Sequence, residues 1–72
     1  RDGKVVRSLL GRGVVVEEGA KVKDSIIMHD CVISKGAYLE NVILDKSVRV
    51  TENSMIKGDQ EVPLFIPKSK RI

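Results

Sequence analysis

A seventeen-residue repeat is the feature that most constrains how this chain can fold. Three consecutive blocks, 5–21, 22–38 and 39–55, align without an insertion, and large aliphatic residues step along them by five, six and six positions. These aliphatic positions are Val5, Leu10, Val16, Val22, Ile27, Ile33, Leu39, Leu44, Val50 and Ile56. Such a repeat is typical of solenoid proteins, in which each block is one structural unit that packs against its neighbours.

A small or β-branched residue precedes each large aliphatic residue by two positions, and neither series contains a charge or an amide. Residues two apart in a strand point to the same side. A helix would spread a six-residue period around its whole surface, and one long strand would alternate without interruption. We therefore predict very short strands separated by corners, with three faces closing one triangular coil and successive coils about 4.8 Å apart.

One column of the repeat marks a corner. Gly19, Gly36 and Asn53 occupy the same position of the three blocks. Glycine and asparagine are the residues that best tolerate a positive φ, which a tight corner requires. The fold class predicted from the residues is therefore all-β, a parallel β-helix of about three coils with a C-terminal cap.

The regular pattern stops shortly after Ile56. We predict two parts, β-helix coils over residues 1–58 and a capping segment with a basic tail over residues 59–72. The apolar segment Val62–Pro67 carries two prolines, which do not fit a central strand and belong at an edge. We expect it to lie over the last coil as a cap, with Phe65 packed on the exposed core.

At the other end, Gly3 already fits the small-residue series, so Arg1–Lys4 resemble the last corner of an earlier coil. The first coil lacks a recognisable cap, and an open strand edge is a template for pairing. From this we expect that the chain is a fragment of a larger protein and that it self-associates.

Few side chains suggest chemistry. His29, the only histidine, falls at a corner position shared with Arg12 and Lys46, and we interpret it as a surface corner residue in preference to a general base. Cys31 is the only cysteine and falls in the inward series, where it should behave as a small hydrophobe. One Cys and one His exclude an internal disulfide and do not suffice for a zinc site. We predict no catalytic residue and no metal ligand.

The charges are mixed along the chain, with a formal net charge of +3, except for a basic tail. Lys68, Lys70 and Arg71 are candidates for binding an anion such as a sugar phosphate or a nucleotide effector, and a frayed, solvated terminus is the alternative. The small net charge and the near absence of aromatic residues argue against nucleic acid as a partner. No apolar run approaches membrane-spanning length, and the composition suits a reduced, cytoplasmic protein.

The repeat as a whole, and three shorter stretches within the sequence, resemble known proteins. The repeat resembles the hexapeptide-repeat proteins, and that resemblance implies left-handed coils, which spacing does not show. The stretches EGAKVKDSIIM at 18–28 and GAYLENVILDK at 36–46, with the tail at 62–68, are similar to the C-terminal β-helix domain of the glucose-1-phosphate adenylyltransferases, or ADP-glucose pyrophosphorylases. The closest likeness is to the paralogous glycogen-biosynthesis subunit of some Gram-positive bacteria.

The resemblance implies a larger parent protein, either a nucleotidyltransferase or its non-catalytic paralogue. Its missing N-terminal domain would make ADP-glucose from ATP and glucose 1-phosphate with Mg²⁺, and this chain would hold no cofactor and no activity of its own. In this family the β-helix supports assembly of a tetramer with sibling subunits and forms part of the allosteric effector site. Lys68, Lys70 and Arg71 are effector candidates on charge alone.

Two other interpretations remain open. The chain could be a fragment of a hexapeptide-repeat acyltransferase, which predicts further coils and a coenzyme A groove. It could also be a pure scaffold β-helix, which predicts neither a nucleotidyltransferase domain nor an acyl-carrier groove. The coding sequence upstream of these residues separates all three.

Overall fold

The computed structural model describes residues 3–72, so Arg1 and Asp2 of the expected first corner lie outside the described residues. The described residues form short strands joined by turns and contain no helix that is long and apolar enough to cross a membrane. The strands are β1 (Lys4–Val6), β2 (Leu9–Leu10), β3 (Val15–Val16), β4 (Lys21–Lys23), β5 (Ile26–Ile27), β6 (Val32–Ile33), β7 (Tyr38–Glu40), β8 (Val42–Leu44), β9 (Arg49–Val50), β10 (Met55–Lys57) and β11 (Leu64–Ile66).

The strands stack into three parallel sheets, one for each face of the coil. The strand orders are β1-β4-β7-β10, β2-β5-β8-β11 and β3-β6-β9. Partners lie seventeen residues apart through β10, as in the series Val5, Val22 and Leu39. The seventeen-residue repeat therefore is one turn of a β-solenoid, and the predicted parallel β-helix of about three coils is confirmed.

The core is a column of stacked aliphatic side chains. Every buried hydrophobic residue belongs to one of the two inward series predicted from the sequence, with the exception of Ile66. Fully burying a side chain of Val, Leu or Ile contributes about 1.5–3 kcal/mol to folding. The solenoid is therefore stabilised by many similar contacts between neighbouring coils and not by one aromatic cluster.

Each coil turns its three corners with residues in the left-handed region of φ. The predicted corner column is confirmed, with φ of 76° at Gly19, 70° at Gly36 and 59° at Asn53. The other two corners also use positive φ, and most of their residues are not glycine. These residues are Arg7, Gly13, Asp24, Asp30, Asn41, Ser47 and Ser69.

Two serine hydroxyls join successive coils inside one corner. Ser25 Oγ donates to Lys23 O at 2.8 Å and accepts the N–H of Val42 at 3.2 Å. Ser8 repeats the arrangement one coil earlier and accepts the N–H of Ser25 at 3.0 Å. Ser25 is buried, so its hydroxyl satisfies backbone groups that water does not reach.

The C-terminal segment differs from the predicted cap. β11 pairs in parallel with β8, with Leu64 opposite Val42 and Ile66 opposite Leu44. The expectation that Phe65 packs on the core is wrong, because Phe65 is 52% exposed whereas Ile66 is 9% exposed and lies in the core. Successive residues of a strand face opposite sides, so the register that turns Ile66 inward turns Phe65 outward.

The segment therefore begins a further turn of the solenoid. β11 follows its partner β8 by 22 residues, whereas β8 follows β5 by 17, so the turn between β10 and β11 is five residues longer than its counterparts. Pro63 and Pro67 flank β11 and leave its ladder uninterrupted. The extra residues are accommodated outside the coil, and the sheets stay in register.

Candidate functional site

The basic tail is held against the third coil by backbone hydrogen bonds. The N–H of Ser69 donates to Lys46 O, the N–H of Arg49 to Lys70 O and the N–H of Ile72 to Arg49 O, each at 2.9 Å. Ile72 is partly buried against the core. The tail is therefore an ordered part of the last turn, and a frayed terminus does not describe it.

This docking sets two tail cations over cations of the preceding coil. Arg71 forms a parallel bridge with Arg49, with the same offset of 22 residues that relates β11 to β8. The same offset brings Lys68 to the corner position of Lys46. Lys70 falls one position before Arg71, and its side chain is exposed. We call these five residues the basic corner: Lys46, Arg49, Lys68, Lys70 and Arg71.

No carboxylate neutralises the basic corner within residues 3–72, where the one side-chain ion pair is Arg7–Asp24. Like charges at directly opposite positions of neighbouring strands are destabilising, and Arg49 and Arg71 are such a pair. Arg and Lys donate charge-assisted hydrogen bonds to phosphate and carboxylate groups. The arrangement is suited to binding an anion at an exposed, salt-sensitive surface.

Lys68, Lys70 and Arg71 stay predicted anion-binding residues, and sequence reasoning did not associate Lys46 and Arg49 with them. The five-residue insertion before β11 was not recognised in the sequence. This insertion changes the offset between pairing partners from 17 to 22 residues, and only an offset of 22 pairs Arg71 with Arg49. The inward series held the signal, since Ile66 and Ile72 continue the columns of Leu44 and Val50 at this offset.

A second surface is apolar across a whole sheet. The outward residues of β2, β5, β8 and β11 are Leu9, Ile26, Ile43 and Phe65, and Leu9 is 69% exposed. The inward neighbours on the same strands are aliphatic too. Strands that are apolar on both sides are typical of sheets covered on both faces, and exposed apolar patches mark interaction surfaces. We call this surface the apolar face.

His29 lies beside the apolar face at the predicted corner. Its Nδ1 accepts the backbone N–H of Arg12 at 2.8 Å, which assigns the ring proton to Nε2 in the neutral form. Together with Leu9, Ile26 and Met28 it lines a shallow groove of about 400 Å³. The geometry gives His29 a structural role in joining two coils, and the absence of a catalytic residue stays a prediction.

Cys31 lies in the core, as its column predicts. It is fully buried, and its Sγ donates to Asp45 O at 3.0 Å. Burial raises the pKa of the Cys31 thiol, so the reactive thiolate is disfavoured. Residues 3–72 hold no group of three or more His, Cys, Asp or Glu side chains placed to share a metal ion.

Comparison with known families gives one match that covers most of the chain. The family model described as GlmU-like, C-terminal hexapeptide matches residues 1–63. This range contains all three repeat blocks and ends immediately before β11. No solved structure matches the chain at a significant level.

Three similar curated proteins share one description. The chain is 47% identical over 54 residues to a glucose-1-phosphate adenylyltransferase of Corynebacterium diphtheriae, over 75% of this chain and 13% of the relative. It is 41% identical over 58 residues to that of Corynebacterium jeikeium, over 81% and 14%. It is 37% identical over 63 residues to that of Thermodesulfovibrio yellowstonii, over 88% and 15%. The chain thus spans about one seventh of the length of the relatives it matches.

Proposed function

Because the chain belongs to the GlmU-like C-terminal hexapeptide family, we propose that it serves as the structural and regulatory β-helix of a longer protein resembling the glucose-1-phosphate adenylyltransferases. In this proposal the rest of that protein carries the nucleotidyltransferase activity or descends from an active enzyme. An active parent would transfer the adenylyl group of ATP to the phosphate of glucose 1-phosphate with Mg²⁺, releasing pyrophosphate, in glycogen biosynthesis in the cytoplasm. The relatives support this assignment over an acyltransferase fragment or a pure scaffold.

Control by an anionic effector is the regulatory part of the proposal, and the basic corner is the observation that carries it. Arg71 is stacked on Arg49 with no carboxylate partner for either among residues 3–72. A phosphorylated ligand bound between them would offset the repulsion that the register imposes. Binding would then couple to the stability of the last turn.

Assembly is the structural part of the proposal, and the apolar face supports it. Its four outward side chains lie on adjacent strands about 4.8 Å apart and form a continuous stripe. A sibling subunit covering this stripe would remove apolar area from water. The parent assembly in this proposal is a tetramer.

The effector site is tested by titrating the ¹⁵N-labelled protein with glucose 1-phosphate and with AMP. We expect saturable amide shifts at residues 46–49 and 68–71. The affinity obtained from these shifts should fall severalfold in Arg71→Ala. Lys21→Ala, an exposed lysine on the first sheet, is the matched control and should leave binding unchanged. Equal binding by both variants would remove the basic corner from the proposal.

The assembly surface is tested by sedimentation equilibrium of the longer protein. Leu9→Ser and Phe65→Ser should each weaken subunit association. Met55→Ser changes a residue that is 73% exposed on the first sheet and should not. Association that survives both apolar-face substitutions would assign assembly to another surface.

A further inference from the structure

The long turn between β10 and β11 forms one wall of a polar groove. This groove lies at a different corner of the coil from the basic corner. In solenoid proteins, extra residues map to loops on one side, which is often the binding side. Residues 58–63 are such a loop. The groove beside them has a volume of about 390 Å³, within the range of small-molecule sites.

The lining of the groove is polar and electrically balanced. It contains two cations, two carboxylates and two side-chain amides, so its formal charge is zero. These residues are Arg7, Lys23, Asp24, Glu40, Asn41 and Gln60. Gln60 is the contribution of the long turn, and the other five come from successive coils beneath it.

The wall of the groove has a defined geometry. The N–H of Leu64 donates to Asn41 O at 3.1 Å, which fixes the point where the long turn rejoins the coil. A Cβ at Gly58 would come within 2.6 Å of Leu64 N, so only glycine fits where the turn leaves. Within the turn, the Asp59 carboxylate accepts the N–H of Glu61 at 3.2 Å. These contacts present Gln60 at the rim.

The floor of the groove is an organised ion pair. Arg7 Nε donates to Asp24 Oδ1 at 2.7 Å and Arg7 Nη2 to Asp24 Oδ2 at 3.2 Å. Asp24 and Asn41 occupy the same corner position in successive coils, with φ of 50° and 55°. The bidentate pair leaves Arg7 Nη1 as a donor, and each carboxylate oxygen has a further lone pair. The floor therefore offers both donors and acceptors to a ligand.

We propose that this groove binds a neutral, polyhydroxylated small molecule of monosaccharide size. A hydroxyl group both donates and accepts, so neighbouring hydroxyls satisfy a carboxylate and a guanidinium or amide together. A lining with zero formal charge does not favour an anion, which separates this groove from the basic corner. The proposal rests on the groove alone and is independent of the effector and assembly roles proposed above.

The affinity should be weak. The groove is open, and its lining is exposed or only partly buried, so each hydrogen bond to a ligand replaces one to water. No aromatic ring lines it to stack on a sugar face. We expect a dissociation constant on the order of millimolar, typical of a site with few apolar contacts.

The test is an amide titration of the ¹⁵N-labelled protein with methyl α-glucoside, a neutral sugar. Saturable shifts are expected at Arg7, Asp24, Asn41 and Gln60, with no change at the basic corner. Inorganic phosphate and glycine betaine, an anion and a zwitterion, serve as comparison probes. Stronger binding of either probe in this groove, or sugar shifts that do not saturate, would overturn the proposal.

A pair of variants in the long turn makes the test specific. Gln60→Ala removes the rim amide and should weaken sugar binding by about 2–10-fold, the effect of one net hydrogen bond. Glu61→Ala changes the adjacent exposed residue, which does not line the groove, and should bind as the unmodified protein does. Equal affinity of the two variants would exclude Gln60 from the site and contradict the proposed geometry. Phosphate shifts at the basic corner test the effector proposal separately.

Discussion

His29 joins the second coil to the first, since its Nδ1 accepts the backbone N–H of Arg12 at 2.8 Å. His29→Ala removes this acceptor, and we expect a loss of about 0.5–1 kcal/mol in the free energy of unfolding because water replaces part of the bond at an exposed corner. His29→Asn keeps a side-chain acceptor and should lose less. Urea denaturation measures both, and Lys46→Ala at the same corner of the next coil is the control. A loss in the control equal to that of His29→Ala would contradict the role given to the imidazole.

Phe65 and Ile66 are adjacent, but we expect opposite responses to truncation. Ile66→Ala removes a core side chain stacked on Leu44 and should destabilise the protein by about 2–5 kcal/mol. Phe65→Ala removes an outward, half-exposed ring and should cost far less in the isolated chain. Thermal or urea unfolding of the two variants makes the comparison. A larger loss for Phe65→Ala would restore the cap arrangement expected from the sequence.

The Ser25 hydroxyl should contribute more to stability than its size suggests. Ser25→Ala leaves the N–H of Val42 without its side-chain acceptor in a buried position. An unsatisfied buried donor costs about 1–3 kcal/mol. Ser54→Ala, in the equivalent small-residue series but half-buried, is the comparison and should cost less. Similar losses in chemical denaturation would mean that the burial of Ser25 does not matter.

The Arg7–Asp24 pair predicts a specific pH dependence. The hydrogen bond from Arg7 holds the pKa of Asp24 below its ordinary value of 3.8. A carboxyl group with a lowered pKa in the folded state stabilises the protein above about pH 4, and this contribution is lost as pH falls through the folded-state pKa. Asp24→Asn should therefore flatten the acid limb of the stability profile, more so at low salt. Glu52→Gln, at an exposed carboxyl, is the control, and an equal flattening there would exclude the pair as the cause.

The sequence predicted the coil well because its signal repeats. Val22, Ile27 and Ile33 lie at inward positions that recur every seventeen residues, so the period, the three faces and the core follow from side-chain chemistry. One of the three corners was not identified, because its residues Arg7, Asp24 and Asn41 do not share a residue type that marks a left-handed turn.

The last turn could not be placed in the same way. The five extra residues shift its register relative to the blocks before it, and the inward role of Ile66 becomes evident only from the pairing with Leu44. The candidate site was incomplete for that reason, since Arg49 joins Arg71 through pairing and not through nearness in the chain.

The long turn after Gly58 shows that strand pairing, and not the number of residues per coil, determines the register of the stacked strands. Extra chain leaves the solenoid at this corner and returns at Leu64 with the ladder intact. The same corner is therefore a natural point for protein engineering. An epitope or a small reporter domain inserted between Asp59 and Val62 would project away from the coils, and the strands on either side would keep their partners.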